Sequence, residues 1–298
     1  MNQPALVSQL RGELFHHQPL AKYTTWRVGG PADTLYKPAD LEDLCHFLTT
    51  LPADEPIHWL GLGSNSLISD SGIRGTVIVT QGALKDMAMV SANVVRVEAG
   101  VSCASMARFC ARNNLQGGEF WAGIPGTMGG ALKMNAGCYG HETWNYVTEV
   151  ETINRQGELH KRPANDYEIQ YRQVNGHEEE WFIAAWCSLN IGDKEISLNR
   201  IKELLKQRSD TQPTSEHNCG SVFRNPPGNF AAKLIESCGL KGFKIGGAQV
   251  STKHANFIIN QDCDATAKDI EQLINHVWQT VRDKTGVELV REVHLIGE

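Results

Sequence analysis

A glycine-rich stretch over residues 121–140, WAGIPGTMGGALKMNAGCYG, constrains the fold more than any other part of the sequence. Six of its twenty residues are glycine, which costs backbone entropy on folding and adds no side chain to a core. Apolar residues such as Trp121, Ile124 and Met128 separate the glycines, whereas a flexible linker would be rich in Gly and Ser without aromatics. The pattern predicts an ordered loop that packs closely against a flat or anionic group, such as a ring system or a diphosphate. A tight turn between two core elements is the alternative.

The composition excludes several classes of protein. The 298 residues favour two or three domains, and 41% hydrophobic and 21% charged residues are typical of a globular protein. A net charge of -6 without a basic block argues against nucleic-acid binding. The sequence has no apolar run of the roughly 20 residues that span a bilayer and no signal-peptide pattern, so we expect neither membrane insertion nor export. Eight scattered cysteines without a C-x-x-C pair predict reduced thiols, no metal site and a cytoplasmic protein.

Hydrophobic periodicity predicts a coarse order of elements. An amphipathic lead-in helix is predicted over residues 1–20 from three leucines spaced four apart, Leu6, Leu10 and Leu14. A second helix is predicted over 39–51 with Asp40 as its N-cap, and the apolar runs around it give residues 20–80 a β-α-β pattern. A third helix of about twenty residues is predicted to begin after Thr266.

A second glycine motif, Gly61-Leu62-Gly63-Ser64-Asn65-Ser66, begins like a dinucleotide-binding loop. Ser66 stands where G-x-G-x-x-G requires its third glycine, and a polar turn follows instead of a long helix. The motif therefore does not predict a Rossmann fold. Its amides and the side chains of Ser64 and Asn65 are still able to bind a phosphate, and a plain turn is an equal alternative.

Five motifs in order along the chain resemble those of the UDP-N-acetylenolpyruvoylglucosamine reductase family. They lie at residues 60–78, 123–140, 220–226 (GSVFRNP), 233–247 and 253–260, and a terminal Glu292-Val293 pair also fits. Each motif alone is weak, but five in sequence are highly specific. The short connection between Tyr171-Arg172 and the next predicted strand further resembles the branch of the family that lacks an inserted tyrosine loop.

The resemblance implies an α+β fold of the vanillyl-alcohol-oxidase-like (PCMH-type) class. Two FAD-binding subdomains would cover residues 1–82 and 83–205, and an α+β substrate domain would cover 206–286. The terminal strand within 287–298 could return to the second subdomain.

The activity implied by the resemblance is an NADPH-dependent, FAD-mediated reduction. The substrate would be UDP-N-acetylglucosamine enolpyruvate and the product UDP-N-acetylmuramate, in peptidoglycan precursor synthesis. The flavin would be non-covalent and the protein a monomer. A flavin oxidase of the same superfamily acting on an alcohol or sugar is the alternative, and the GSVFRNP motif, Glu292 and the lack of a His or Cys flavin tether argue against it. A non-catalytic nucleotide-sugar binder is a third hypothesis.

Three residues match the family's catalytic positions: Arg172, Ser221 and Glu292. Arg172 would grip the substrate carboxylate, beside which hydride addition creates a carbanion. Ser221 would donate a proton to that carbanion, and the Glu292 carboxyl group would assist. Without the resemblance, Arg172 would be interpreted as a solvated surface residue, Ser221 as a turn serine and Glu292 as a solvent-facing strand residue.

Further residues are carried over as ligands. The cofactor-binding set comprises Arg27, Gly61, Gly63, Ser64, Asn65, Ser66, Ile124, Pro125, Gly126, Thr127, Gly129, Gly130, Asn135, Ala136, Gly137 and Arg208. Asn225 and Lys233 would hold the diphosphate of the UDP-sugar, although a solvated helix charge is an equal interpretation of Lys233. Three positions depart from the usual family pattern, Ser66, Cys138 and His294, and none of them is a catalytic match.

Overall fold

The computed structural model describes residues 10–297, which form a mixture of strands and helices. The six α-helices are α1 (Leu41–Thr50), α2 (Cys103–Arg112), α3 (Met128–Lys133), α4 (Lys194–Thr211), α5 (Ala231–Ser237) and α6 (Ala267–Thr285). The four 3-10 helices are Ala21–Tyr23, Glu119–Gly123, Thr143–Asn145 and Ala164–Asp166. The first ten strands are β1 (Glu13–Pro19), β2 (Pro31–Lys37), β3 (Ile57–Leu60), β4 (Ser66–Ile68), β5 (Ile73–Val79), β6 (Met87–Met89), β7 (Val94–Glu98), β8 (Leu115–Gln116), β9 (Gly137–Cys138) and β10 (His141–Glu142). The remaining strands are β11 (Val147–Asn154), β12 (Leu159–Pro163), β13 (Glu168–Gln170), β14 (Gln173–Asn175), β15 (Glu180–Ser188), β16 (Asn190–Ile191), β17 (Lys244–Ile245), β18 (Ala248–Val250), β19 (Ile258–Asn260) and β20 (His294–Ile296).

Three sheets carry most of the strands. A five-stranded sheet has the order β12-β11-β15-β7-β6, and all of its pairs are antiparallel. A four-stranded sheet has the order β1-β2-β5-β3, in which β3 and β5 run parallel with Ile57 opposite Thr76. A third sheet of β17, β18 and β19 is antiparallel. Helix α1 lies between β2 and β3 in the chain, so the predicted β-α-β pattern is confirmed.

The predicted lead-in helix is wrong over its described part. Residues Glu13–Pro19 form the strand β1 beside β2 instead. Leu14 packs with Leu10 against a core of Tyr36 and Phe47. Sheet pairing supplies the backbone hydrogen bonds that a helix would otherwise provide, and this outweighs a four-residue spacing that lacks a capping residue. Leu6, the first leucine of the pattern, lies outside the described residues.

The two capped helices form as predicted. The Asp40 side chain accepts a hydrogen bond from the Asp43 amide at the start of α1. Helix α6 begins with a capping box between Thr266 and Asp269 and ends at Gly286 in the left-handed conformation. Its apolar stripe is buried through Ile270, Leu273, Ile274, Val277 and Val281.

The chain divides into two units, each assembled from three segments. The first unit comprises the described residues up to Phe15, Thr34–Gly61 and Gly75–Lys206. Its larger core packs α2 and α3 against the five-stranded sheet and centres on Phe120 and Trp121.

The second unit comprises His16–Asp33, Leu62–Arg74 and the residues from Gln207 onward. Its core packs the apolar face of α6 around Trp26 and Phe223. The terminal strand β20 runs parallel to β4 within this unit. The three domain ranges inferred from the family resemblance stay a prediction.

No helix in residues 10–297 is both long enough and apolar enough to cross a bilayer. All eight cysteines are free thiols. Over the same residues, His, Cys, Asp and Glu side chains form no group that could hold a metal ion.

Candidate active site

The glycine-rich stretch folds into a 3-10 turn, the short helix α3 and the β9–β10 hairpin. Its middle is fixed by backbone hydrogen bonds, because the Met128 amide donates to Val101 O at 2.8 Å and the Gly129 amide to Ala99 O at 2.9 Å. Several glycines are required by the protein's own packing. A Cβ at Gly129 would lie 2.9 Å from Ala99 Cβ, and a Cβ at Gly137 would lie 2.2 Å from the His141 carbonyl oxygen. Contact with a ligand is therefore not needed to explain most of these glycines.

Thr127 and Gly130 differ, because packing within the protein does not account for them. Thr127 is 2% exposed, and its Oγ1 has no hydrogen-bond partner among the described residues. A Cβ on Gly61 would lie 2.4 Å from that oxygen, whereas a Cβ on Gly130 would have it as its nearest neighbour at 3.8 Å. A buried hydroxyl is normally hydrogen-bonded, because an unpaired one costs free energy. The unpaired hydroxyl and the missing side chain at Gly130 fit a polar group that approaches the backbone there, as a flavin nucleotide does, whereas the Thr127 side chain itself explains Gly61.

Residues 62–66 of the second glycine motif belong to the second unit, where Gly63 is fixed by packing against the backbone. Gly63 has φ +62, and a Cβ there would lie 2.2 Å from the Tyr23 carbonyl oxygen. The Asn65 side chain donates to the Glu292 carbonyl oxygen at 3.2 Å, and the His294 amide donates to the Asn65 carbonyl oxygen at 3.1 Å. Ser66 begins β4, which pairs with β20. This loop therefore holds the C-terminal segment that carries Glu292.

Ser221 and Glu292 are brought together on two adjacent antiparallel segments. The Glu292 amide donates to Val222 O at 2.8 Å, and Phe223 forms a bridge with Arg291. Ser221 and Glu292 are both half-buried. Two predicted catalytic residues that are far apart in sequence therefore lie on neighbouring segments of one unit.

The Ser221 segment is held from its other side by Asn256, which is not among the site residues predicted from the sequence. Asn256 is 3% exposed, its Nδ2 donates to Phe223 O at 2.8 Å, and its Oδ1 accepts from the Phe223 amide at 3.0 Å. The Val222 amide donates to the Asn256 carbonyl oxygen at 2.9 Å. Its position inside the 253–260 motif was the only sequence signal for this role.

Arg172 lies at the tip of the β13–β14 hairpin in the first unit. The sequence placed Tyr171-Arg172 before a turn, but these two residues are the turn, since Gln170 pairs with Gln173. The guanidinium donates to Asn135 O at 3.2 Å and to Gly137 O at 2.7 Å, and it lies 4.7 Å from the centre of the Tyr171 ring. The structure thus attaches the predicted catalytic arginine to the end of the glycine-rich stretch.

Three predicted site residues adopt the left-handed backbone conformation that favours glycine. They are Arg27 with φ 62, Asn135 with φ 41 and Arg172 with φ 58. Such residues cost about 1–3 kcal/mol each and cluster at functional sites. Arg27 is exposed, and its guanidinium donates to the Lys22 carbonyl oxygen at 2.8 Å.

The remaining polar candidates lie in the second unit. Arg208 is half-buried near the end of α4, and its Nε donates to Gln212 Oε1 at 3.1 Å. Asn225 Oδ1 accepts from the Ala231 amide at the first turn of α5, and Lys233 is exposed on that helix. Their assignment as ligands stays a prediction.

Two family models match the chain. One is described as an FAD binding domain and covers residues 32–162, and the other as the UDP-N-acetylenolpyruvoylglucosamine reductase C-terminal domain and covers 212–296. A UDP-N-acetylenolpyruvoylglucosamine reductase of Legionella pneumophila (strain Corby) is 65% identical over 98% of this chain and 95% of its own length. This chain belongs to the UDP-N-acetylenolpyruvoylglucosamine reductase family. The family predicted from the five motifs is confirmed.

Solved structures agree with the predicted fold. The crystal structure of UDP-N-acetylenolpyruvylglucosamine reductase from Thermus caldophilus has a TM-score of 0.82 and 31% identity, and the match covers 97% of this chain and 100% of that one. A 6-hydroxy-D-nicotine oxidase from Arthrobacter nicotinovorans has a TM-score of 0.56 at 10% identity over 97% of this chain and 90% of its own, which shows a shared fold alone. The predicted flavoprotein fold class is confirmed. Membership of the branch without the tyrosine loop stays a prediction.

Proposed function

We propose that this reductase-family protein reduces UDP-N-acetylglucosamine enolpyruvate to UDP-N-acetylmuramate, with NADPH as the reductant and FAD as a non-covalent cofactor. The observation that carries the proposal is the pairing of the Ser221 segment with the Glu292 segment through the Glu292 amide and Val222 O. Both segments lie inside the matched C-terminal reductase domain. The product would enter peptidoglycan precursor synthesis in the cytoplasm, so loss of the enzyme would impair cell-wall biogenesis, cell shape and division.

Bound FAD would supply the hydride that adds to the enolpyruvyl methylene carbon, and NADPH would be the source of that hydride. The electron pair of the broken C=C bond then resides on the carbon next to the carboxylate. Arg172 would bind that carboxylate and stabilise the added negative charge, because its guanidinium is always protonated and is already oriented by Asn135 O and Gly137 O. A fixed cation needs no reorganisation during the reaction, and removing one such donor commonly costs about 10²–10³-fold in rate.

Ser221 would complete the reaction by transferring its Oγ proton to the carbon next to the carboxylate. A serine hydroxyl is a weak acid, so this transfer requires the strongly basic carbon that hydride addition creates. Gly220, directly before Ser221, has the left-handed backbone conformation with φ +75. After Ser221, the Phe223 amide donates a hydrogen bond to the Asn256 side chain. The Glu292 carboxyl group would assist from the adjacent segment.

The FAD nucleotide would lie against Thr127 and Gly130, where a buried hydroxyl has no partner among the described residues and a side chain is missing. The glycine-rich 61–66 loop, Arg27 and Arg208 are the other proposed contacts. Asn225 and Lys233 would hold the diphosphate of the UDP-sugar. The protein would act as a monomer.

The oxidase alternative is not favoured. The oxidase with the similar structure is only 10% identical and therefore supports the fold alone.

Two measurements on the purified protein test the proposal. It should be yellow with bound FAD, and its NADPH consumption should depend on the enolpyruvyl UDP-sugar. A colourless protein that takes up no FAD on reconstitution, or NADPH consumption driven by oxygen alone, would contradict the proposal.

Ser221→Ala separates the two half-reactions. We expect flavin reduction by NADPH to stay near the parent rate and flavin reoxidation by the enolpyruvyl substrate to slow by about 10²–10⁴-fold, the range for a lost acid–base group. Ser237→Ala is the matched control, because Ser237 is exposed on α5 and its hydroxyl donates to Leu234 O of its own helix. Equal losses in both half-reactions would give Ser221 a structural role instead.

A further inference from the structure

We propose that Asn135 and Glu142 form a positioning pair that orients the Arg172 guanidinium, an inference that rests on the function proposed above. Neither residue would touch the reacting atoms. The pair would set where the arginine meets the substrate carboxylate, and so would govern the substrate half-reaction without governing flavin reduction.

A closed set of hydrogen bonds connects the pair to the arginine. Asn135 Nδ2 donates to Glu142 Oε2 at 2.8 Å, and Glu142 lies opposite Gly137 in the β9–β10 hairpin. The carbonyl oxygens of Asn135 and Gly137 accept the two guanidinium hydrogen bonds of Arg172. The Asn135–Glu142 bond therefore fixes the spacing of the two carbonyl groups that hold the arginine.

Asn135 also holds the turn that carries Arg172. Its Nδ2 donates to the Gln170 carbonyl oxygen at 3.2 Å, and Gln170 is the last residue before the Tyr171-Arg172 turn. One side-chain amide thus contacts both the hairpin that accepts the guanidinium and the hairpin that presents it. Displacing this amide would move the arginine relative to its acceptors.

The family resemblance implied a cofactor contact for Asn135, but the burial of its side chain favours the positioning role instead. Asn135 is 1% exposed, and its Oδ1 accepts from the Trp144 amide at 3.2 Å. Both ends of the side chain are therefore bonded within the first unit, and little of it can reach a ligand. The left-handed backbone at Asn135 explains the residue type further, since Asn adopts this conformation more readily than most residues and its short amide still reaches Glu142.

Asn135→Asp is the direct test. The substitution keeps the shape, the tolerance of the left-handed backbone and an acceptor for Trp144, but it places a carboxylate against Glu142 and against Gln170 O. We expect the substrate half-reaction to slow by about 10²-fold, the loss that a misplacement of about 1 Å causes. Flavin reduction by NADPH and the FAD content should stay near the parent values.

Glu142→Gln supplies a rescue. Alone it keeps an acceptor oxygen for Asn135 and should cost little. In the double variant N135D/E142Q, the new amide at position 142 can donate to the new carboxylate at position 135, which restores a hydrogen bond of reversed direction. The double variant should recover part of the rate lost in N135D, a coupling that independent sites do not show, while the lost bond to Gln170 O stays unrestored. Asn114→Gly is the control, because Asn114 has φ 57 and is exposed in the same unit.

The outcomes discriminate between the two proposals. Equal losses in both half-reactions, a loss of FAD from N135D, or no recovery in the double variant would overturn the positioning role. If N135D yields no folded holoprotein, Glu142→Ala removes the acceptor without adding charge and should slow the same half-reaction by about tenfold or more; a normal rate there would overturn the role as well. If instead the parent enzyme shows no NADPH consumption that depends on the substrate, the proposed function fails and not the positioning pair alone.

Discussion

Replacing Thr127 by Val should have opposite effects on the apoprotein and on FAD binding. The Thr127 hydroxyl is buried without a partner in residues 10–297, and such a group costs about 1–3 kcal/mol. Thr127 precedes α3, but its side chain makes no capping hydrogen bond, so the substitution loses no helix cap. A valine methyl group of the same shape should therefore stabilise the apoprotein by about 1 kcal/mol, which raises Tm by about 2–4 °C.

The same substitution should weaken FAD binding if the hydroxyl bonds to the cofactor. One lost hydrogen bond of about 1 kcal/mol raises Kd by about fivefold, and a bond to a charged phosphate is worth more. Thermal unfolding without and with saturating FAD measures both effects in one experiment, because the cofactor's contribution appears as a Tm difference. The Tm gain from FAD should be smaller in T127V than in the parent.

Thr143→Val is the matched control. Thr143 is 0% exposed, but its Oγ1 donates to Ala136 O at 2.7 Å and accepts from Trp121 Nε1 at 3.2 Å. Its replacement should destabilise the apoprotein by about 1–3 kcal/mol, because two buried partners lose their bond. An apoprotein of T127V that is less stable than the parent, or FAD binding that is unchanged, would refute the assignment of Thr127 to the cofactor.

Two further predictions concern stability. The pKa of Asp43 is lowered, because burial raises it but hydrogen bonds from Tyr36, the Ala39 amide and the Arg11 amide outweigh that effect. Its carboxylate therefore stabilises the fold fully above about pH 4 and less as pH falls through the lowered pKa. Asp43→Asn should cost about 1.5–3 kcal/mol at pH 7, and urea unfolding should show the gap to the parent narrowing in acid; a constant gap would contradict the pKa shift. Gly63→Ala should abolish folding or lower Tm strongly, because its Cβ would lie 2.2 Å from Tyr23 O, whereas Gly140→Ala, with nothing within 4 Å, should cost only the left-handed penalty of about 1–2 kcal/mol. Similar Tm values for the two variants would show that the clash is relieved.

Local features of the fold were predictable wherever the determining residues are neighbours in sequence. Asp40 caps α1 through an amide three residues away, and Thr266 caps α6 in the same manner. The lead-in helix failed because the decisive partner, β2, is not local: pairing in the sheet made Glu13–Pro19 a strand. Three leucines spaced four residues apart show which positions are apolar, but not which hydrogen bonds the backbone will form elsewhere in the chain.

The sequence by itself determined the family and the identity of the candidate catalytic residues, because the order of the motifs along the chain is visible without a structure. The tertiary structure decided what the glycine-rich stretch does. Most of its glycines are fixed by their own chain, and Asn135 holds an arginine 37 positions away. It also placed Asn65 on the Glu292 carbonyl group, 227 positions away. Spacing along a chain fixes neither kind of contact, since a side-chain hydrogen bond depends on which backbone groups the completed fold brings within about 3 Å.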